Sequence, residues 1–155
     1  MTLYSRTLDG RTSQNASTTN SINVPTSAAY QLFGQVGLDI SQASASFPIR
    51  VQFDGIITFR LDLVPTALFN LVEIKIVRGT NPTDPVVFSG TKTLFPNGTE
   101  GTPQEYSFAA SDYNVPIGTG FVVYTVFARN ITVGGDPTDV VRIGPESFNA
   151  LALGN

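Results

Sequence analysis

From Phe47 to Leu63 the chain alternates without a break. Phe47, Ile49, Val51, Phe53, Gly55, Ile57, Phe59, Leu61 and Leu63 share one parity, and Pro48, Arg50, Gln52, Asp54, Thr58, Arg60 and Asp62 share the other. That is the period of a strand. Asp54-Gly55 would ordinarily mark a two-residue hairpin, but a turn there pairs Phe53 with Ile56 and Val51 with Thr58, which mixes the two faces. Unbroken parity predicts instead one long strand bent at Gly55. Further on, Val72, Ile74 and Ile76 alternate with Glu73, Lys75 and Val77, and Asn81-Pro82-Thr83-Asp84-Pro85 forces a loop before Val86-Val87-Phe88. Tyr106 and Phe108 start another strand. The run Phe121-Val122-Val123-Tyr124-Thr125-Val126-Phe127 is apolar on both parities, which predicts a strand covered on both faces, one in the core and one against something else. Gly134-Gly135-Asp136-Pro137 reads as a turn, and Phe148 to Leu153 as a closing strand. No segment of about ten residues carries a helical period. The pattern predicts an all-β sandwich of two antiparallel sheets.

The first 25 residues follow a different rule. Between Thr12 and Leu38 there is no charged residue, and Thr12 to Ser21 (TSQNASTTNS) holds nothing large and apolar. Such a run cannot form a core. Two readings fit it: a disordered polar tail, the usual fate of this composition, or a tether between apolar tips, since Leu3, Tyr4 and Leu8 precede it and Ile22-Asn23-Val24-Pro25 follows. The expected organisation is therefore an extended N-terminal arm over residues 1–25 and a sandwich domain over 26–155.

Composition removes most chemistry. The 155 residues include no histidine, cysteine or tryptophan, so Ser-His-Asp triads, thiol nucleophiles, thiolate zinc sites and imidazole-bound metals are excluded. Only 14% of residues are charged, against about 25% in an average domain, and Thr, Ser and Asn take their place. The nine Lys and Arg are dispersed along a chain of net charge -3, which argues against nucleic acid as a partner. The N-terminus lacks the apolar core of a secretory signal, and no stretch of about 20 apolar residues is present to span a bilayer. These features predict a protein made in the cytosol, with no membrane span.

Three segments resemble a family. Phe53-Asp54-Gly55-Ile56-Ile57-Thr58-Phe59-Arg60-Leu61 resembles the core-crossing strand of tumour-necrosis-factor-like and complement-type globular domains. Val115-Pro116-Ile117-Gly118-Thr119-Gly120-Phe121-Val122-Val123-Tyr124 resembles their entry into a late strand, and Glu146 to Leu153 their closing strand, with Asn149 and Ala150 where Ser-Gly is usual. The resemblance spans about residues 45–155 and implies a jelly roll. Jelly rolls of this kind occur on Bacillus-type spores; without a Gly-X-Y repeat, a short polar arm fused to the domain is most similar to a subunit of a fine endospore appendage. The resemblance thus implies a fibre at the exosporium, assembled from the mother-cell cytosol without a signal peptide, with a spore-surface anchor protein as a second partner.

On that reading the function is structural: head-to-tail self-assembly through the arm into a homopolymer whose heterologous contacts do not close. Neither an enzyme nor a cofactor or metal is expected. Leu3, Tyr4, Leu8, Ile22 and Val24 would anchor the arm as it adds to a neighbour's sheet edge. At about 3.3 Å per residue, a 25-residue arm reaches on the order of 80 Å. Ordering it costs about 1–2 kcal/mol per residue against about 1 kcal/mol net per hydrogen bond. A second contact between globular faces is therefore expected, with Val122, Tyr124 and Val126 as its candidates; the same strand also reads as one covered by the chain's own second sheet. Asp136 and Asp139, with Asp112 elsewhere, offer oxygen ligands of the kind calcium takes but read first as turn residues. Glu73 and Lys75, with Arg60 and Asp62, read as solvated cross-strand pairs. The alternatives to a fibre are a trimeric receptor- or sugar-binding head and a bacteriophage tail or capsid protein.

Overall fold

The computed structural model describes residues 6–155. The long alternating segment is one unbroken strand, β4 (Arg50–Leu61), with Val51, Phe53, Ile57, Phe59 and Leu61 turned inward. Around it run β1 (Arg6–Ala16), β2 (Val24–Pro25), β3 (Gln31–Asp39), β5 (Asn70–Arg78), β6 (Val86–Leu94), β7 (Pro103–Asp112), β8 (Phe121–Asn130) and β9 (Val140–Gly154). Apart from one 3-10 turn at Pro137–Asp139, every regular element among the described residues is a strand. One sheet has the order β1-β9-β4-β7, with β2 also against β9; the other has the order β3-β8-β5-β6, and all pairings are antiparallel. This is a jelly-roll β-sandwich, with strands crossing between the sheets as the chain proceeds.

Aromatic rings fill the centre of the sandwich from both sides. Phe53 stacks on Phe148 at 5.7 Å and meets the edge of Tyr124 at 4.7 Å, and Phe108 lies 6.1–6.4 Å from Phe33, Phe88 and Phe148. Gly55 is what admits the Phe108 ring. A Cβ there would lie 2.3 Å from Phe108 Cζ and 2.7 Å from the Ser147 carbonyl oxygen, so this strand position has no room for a side chain. Leu63, which continues the inward parity in sequence, lies beyond the end of β4 and is exposed.

The N-terminal segment departs from expectation. Residues 6–16 form an edge strand paired along its length with β9 of the same chain, from Arg6 opposite Gly154 to Ala16 opposite Glu146 with register shifts at Leu8 and Asn15, and Val24 and Pro25 pair with Arg142 and Val141. The boundary at residue 25 therefore does not separate an arm from a domain in the described residues. The physical reason is that main-chain groups pair without regard to side chain, so a polar strand can join a sheet whose core is made by others.

Strand β9 carries β1, β2 and β4, and it does so across an irregularity. Ile57 pairs with Glu146 but Phe59 pairs with Arg142, so β9 bulges through Ile143-Gly144-Pro145. Arg142 and Glu146 face each other across the bulge as a buried bidentate pair, Nε to Oε1 at 2.6 Å and the second guanidinium nitrogen to Oε2 at 2.7 Å. Asn15 of β1 donates to the same carboxylate at 2.7 Å, and Arg142 donates to Gln31 of β3 at 3.3 Å. Removing one member leaves a buried charge unpaired. Glu146→Gln is therefore expected to destabilise the fold by about 3–5 kcal/mol, whereas Arg142→Met with Glu146→Leu stays within about 1 kcal/mol of the parent; urea midpoints of the two variants check this.

Candidate assembly surfaces

For a chain with no histidine or cysteine, the places to look are its charged clusters, its grooves and its exposed apolar side chains. The charged clusters hold the two sheets and their loops in place. Arg78 at the end of β5 donates to both oxygens of Asp112 on β7, at 2.9 and 2.8 Å, and the Tyr124 hydroxyl donates to the same carboxylate at 2.8 Å. Burial, then the Asp112 carboxylate, push the Tyr124 hydroxyl well above the ordinary tyrosine range. Among the described residues no group of three or more acidic side chains is arranged for a metal. Asp136 accepts from Thr138 at the 3-10 turn, and Asp139 accepts from both the amide and the hydroxyl of Thr66, at 2.6 and 2.7 Å. Asp112 is occupied by Arg78 and Tyr124 at the far end of β7, so the three aspartates do not converge.

On the outer face of the second sheet Tyr30 forms a small polar cap. Its hydroxyl donates to Glu73 at 2.7 Å, Arg129 pairs with the same carboxylate at 2.8 Å, and Lys75 and Arg129 lie 4.1 and 4.2 Å from the Tyr30 ring. Burial opposes ionisation of Glu73, yet the bonds from Tyr30 and Arg129 outweigh it and hold the carboxyl below its ordinary value. Glu73 and Lys75 thus meet Arg129 and Tyr30, not Arg60 and Asp62.

The strand expected to present an outward contact is placed the other way. Val122, Tyr124 and Val126 are all buried between the sheets, where they belong to the central cluster. Of their alternates, Thr125 and Phe127 are covered by this chain, with Tyr30 edge-on to Phe127 at 6.0 Å and the Gln35 amide donating to the Thr125 hydroxyl at 2.9 Å, while Phe121 at the start of the strand is exposed. The doubly apolar composition of β8 reflects its central position in a sheet whose outer face is capped from within. No side chain from a second copy is needed to explain it.

The arm anchors divide. Leu3 and Tyr4 lie outside the described residues. Leu8 packs at the margin of the core, against Gly154 and Ile49, while Ile22 and Val24 are half-buried along β9. Polar clips hold β1 to the opposite sheet as well: Asp9 accepts from the Asp39 amide at 2.9 Å, and Ser13 from the Gln35 amide at 3.2 Å. The sequence reading missed these clips, because Asp9 and Ser13 sit in a segment with no apolar period to place them. Outside this edge, a shallow trough of about 620 Å³ crosses the outer face of the first sheet over Gly10, Gln52, Asp54, Ser111 and Asn149, with Asn149 donating to Asp54 at 2.6 Å.

The exposed apolar side chains are concentrated at one end. Leu63, Val64, Leu68, Phe69, Phe95 and Val133 make six of the eleven large apolar residues that stand exposed among the described residues. All six sit in three loops, 62–69, 95–102 and 131–139, that join strands at the same end of the sandwich. The chain enters at the other end, where Arg6 pairs with Gly154 and donates to the Gln42 carbonyl at 2.6 Å.

No family model matches this chain, and no curated protein matches it. Solved structures resemble it in architecture. The Eiger TNF of S. frugiperda is 12% identical, with 95% of this chain aligned to 92% of that one at a TM-score of 0.48. A chain of infectious bursal disease virus, Gx strain, is 10% identical over 96% of this chain at 0.48, and one from the T13 IBDV viral particle is 13% identical over 97% at 0.47. This chain spans 32% and 35% of those two viral chains, about a third of their length. At such identities the likeness says nothing of function. The class of molecule is that defined by the strand order: an all-β jelly roll of two antiparallel sheets.

Two outcomes test these placements. Tyr124→Asp puts a second carboxylate beside Asp112 in the core, so thermal unfolding is expected to show a collapse of stability, with no selective loss of contacts between molecules. The Asp39 amide, against a smaller burial penalty and with help from Arg11 and Gly10, holds the Asp9 carboxyl below its ordinary 3.8. A folded-state pKa below the unfolded one adds stability above the unfolded value that is lost as pH falls through the folded one. The β1–β3 clip therefore loosens below about pH 3.8, and amide exchange at Asp39, corrected for intrinsic rate, is expected to quicken there in the parent but not in Asp9→Asn.

Proposed function

We propose that this protein is a structural subunit that joins copies of itself end to end through its N-terminal residues, forming an open fibre. The observation that supports this most is where the chain enters the sandwich. β1 lies along its own β9 from Arg6 onward, so the residues that precede Arg6, Leu3 and Tyr4 among them, join the sandwich at one end. A connector at one end, meeting a different surface on the next copy, makes a heterologous contact; unless the rotation closes, it grows into a filament. The buried carboxylates Asp112, Asp139 and Glu146 lie apart and are each engaged in bonds that hold strands and loops, which favours a structural over a catalytic role. The spore surface as the site of assembly, with an anchor protein there, rests on the resemblance to appendage subunits.

The test is a deletion confined to residues that precede β1. Removing residues 2–24 would strip β1 from β9 and expose that strand's edge, so the cut has to stop at Ser5. A variant lacking residues 2–5 is expected to keep the parent's melting temperature and to form no filaments in negative-stain microscopy. Filaments of normal length would overturn the reading, and a particle of fixed threefold mass from the parent would favour a trimeric head.

A further inference from the structure

We propose that the apolar end of the sandwich, built by loops 62–69, 95–102 and 131–139, is the seat that receives Leu3 and Tyr4 of the next copy. The inference rests on the end-to-end reading above and names its receiving surface. The exposures are large: Leu63 73%, Val64 82%, Leu68 89% and Val133 95%. Apolar side chains standing together in water at this level mark a surface that is covered in use. Phe69 and Phe95 lie 6.2 Å apart across two of the loops, and Leu68, Phe69 and Val133 line a groove of about 250 Å³ with Thr66 and Ala67.

The loops are tied to one another, so the patch is a platform. Thr66 donates to Asp139 at 2.6 and 2.7 Å through its amide and hydroxyl, and the Asp136 amide donates back to the Thr66 hydroxyl at 2.7 Å. The Gly101 amide donates to the Leu61 carbonyl at 2.8 Å, which brings the third loop against Leu63. Such a platform gives up little freedom when an apolar segment settles on it.

Three features select the N-terminal segment of a second copy as the occupant. The segment departs from the end of the sandwich opposite the patch, so copies stacked along one direction bring the two together without a change of fold. Five residues extend at most about 17 Å, enough for Leu3 and Tyr4 to reach across a contact between abutting ends. The charges agree: outside the buried Asp139, the three loops carry Asp62, Glu100 and Asp136 and no Lys or Arg, whereas the first charged residue after Leu3 and Tyr4 is Arg6. The same acidic rim disfavours an anionic lipid surface.

The test uses the full chain, the variant lacking residues 2–5, and Leu68→Asp/Val133→Asp, whose altered positions are almost wholly solvent-exposed. Analytical ultracentrifugation is expected to show polymers from the parent and monomers from each variant, a loss of at least tenfold in self-association, with unchanged melting. An equimolar mixture of the two variants is expected to stop at a two-subunit complex, because one lacks the donor and the other lacks the seat. A mixture that stays monomeric overturns the proposal. If the deletion variant is monomeric but the double substitution still polymerises, the connector acts on another surface and this seat is wrong while the end-to-end reading stands. If the deletion variant polymerises, the end-to-end reading itself fails; if it stops at dimers that the double substitution abolishes, the apolar ends meet each other. Flotation of the parent, but not of Leu68→Asp/Val133→Asp, with phosphatidylcholine vesicles and without self-association would give the patch to a membrane and overturn the proposal.

Discussion

The buried pairing of Arg142 with Glu146 within a single strand imposes one constraint on the sandwich: neither charge can be left there without the other. Strand β9 pairs with β1, β2 and β4 alike, and it does so through a bulge that leaves Ile143-Gly144-Pro145 out of step with β4. A bulge in a central strand breaks the ladder and leaves polar groups in need of partners. The Thr58 hydroxyl donates to the Pro145 carbonyl and the Ile22 amide to that of Ile143, while the guanidinium and carboxylate span the bulge with two charge-assisted bonds, and Asn15 and Gln31 attach the first strand and the other sheet to the same point. Buried ion pairs contribute little net stability but fix one arrangement among several. Here the pair sits where the polar N-terminal strand lies against β9, with Asn15 bonded to the Glu146 carboxylate.

How much of this was legible in the sequence follows from what makes each strand. β4 buries one alternating face, so parity alone located it, and Phe53, Ile57 and Phe59 fell where their period put them; β5 alternates in Val72, Ile74 and Ile76 although Glu73 and Val77 are buried too, and of β9 the sequence marked only Phe148 to Leu153. β1 buries only Ala16 and the margin of Leu8; its place is set by pairing with residues 130 or more positions away. No local pattern records such a partner. β8 failed in the opposite way. Its composition correctly announced cover on both faces, but period two cannot say which parity faces the core, and Tyr124 went inward because its hydroxyl finds Asp112 and Arg78 there.

The candidate surface was the least legible part. Leu63, Leu68, Phe95 and Val133 lie in three loops separated by tens of residues, and each alone is an ordinary exposed apolar residue. Only the strand order brings those loops to one end, and only Thr66, Asp139 and Gly101 tie them together there. Leu63 illustrates the difficulty: it continues the inward parity of β4 for one step too many, and the structure places it in water because the strand has ended at Leu61.

The two ends also differ in what they can contribute to a contact. Ordering five connector residues costs about 5–10 kcal/mol at about 1–2 kcal/mol each, while burying Leu3 and Tyr4 returns about 3–6 kcal/mol. A connector acting on a bare polar surface would therefore not hold. What shifts the balance is the receiving side, whose apolar groups are already exposed and already fixed by cross-loop bonds, so that covering them adds favourable burial with little further ordering. The strength of an end-to-end junction in this fold would reside in its rigid half, with the short N-terminal segment supplying direction.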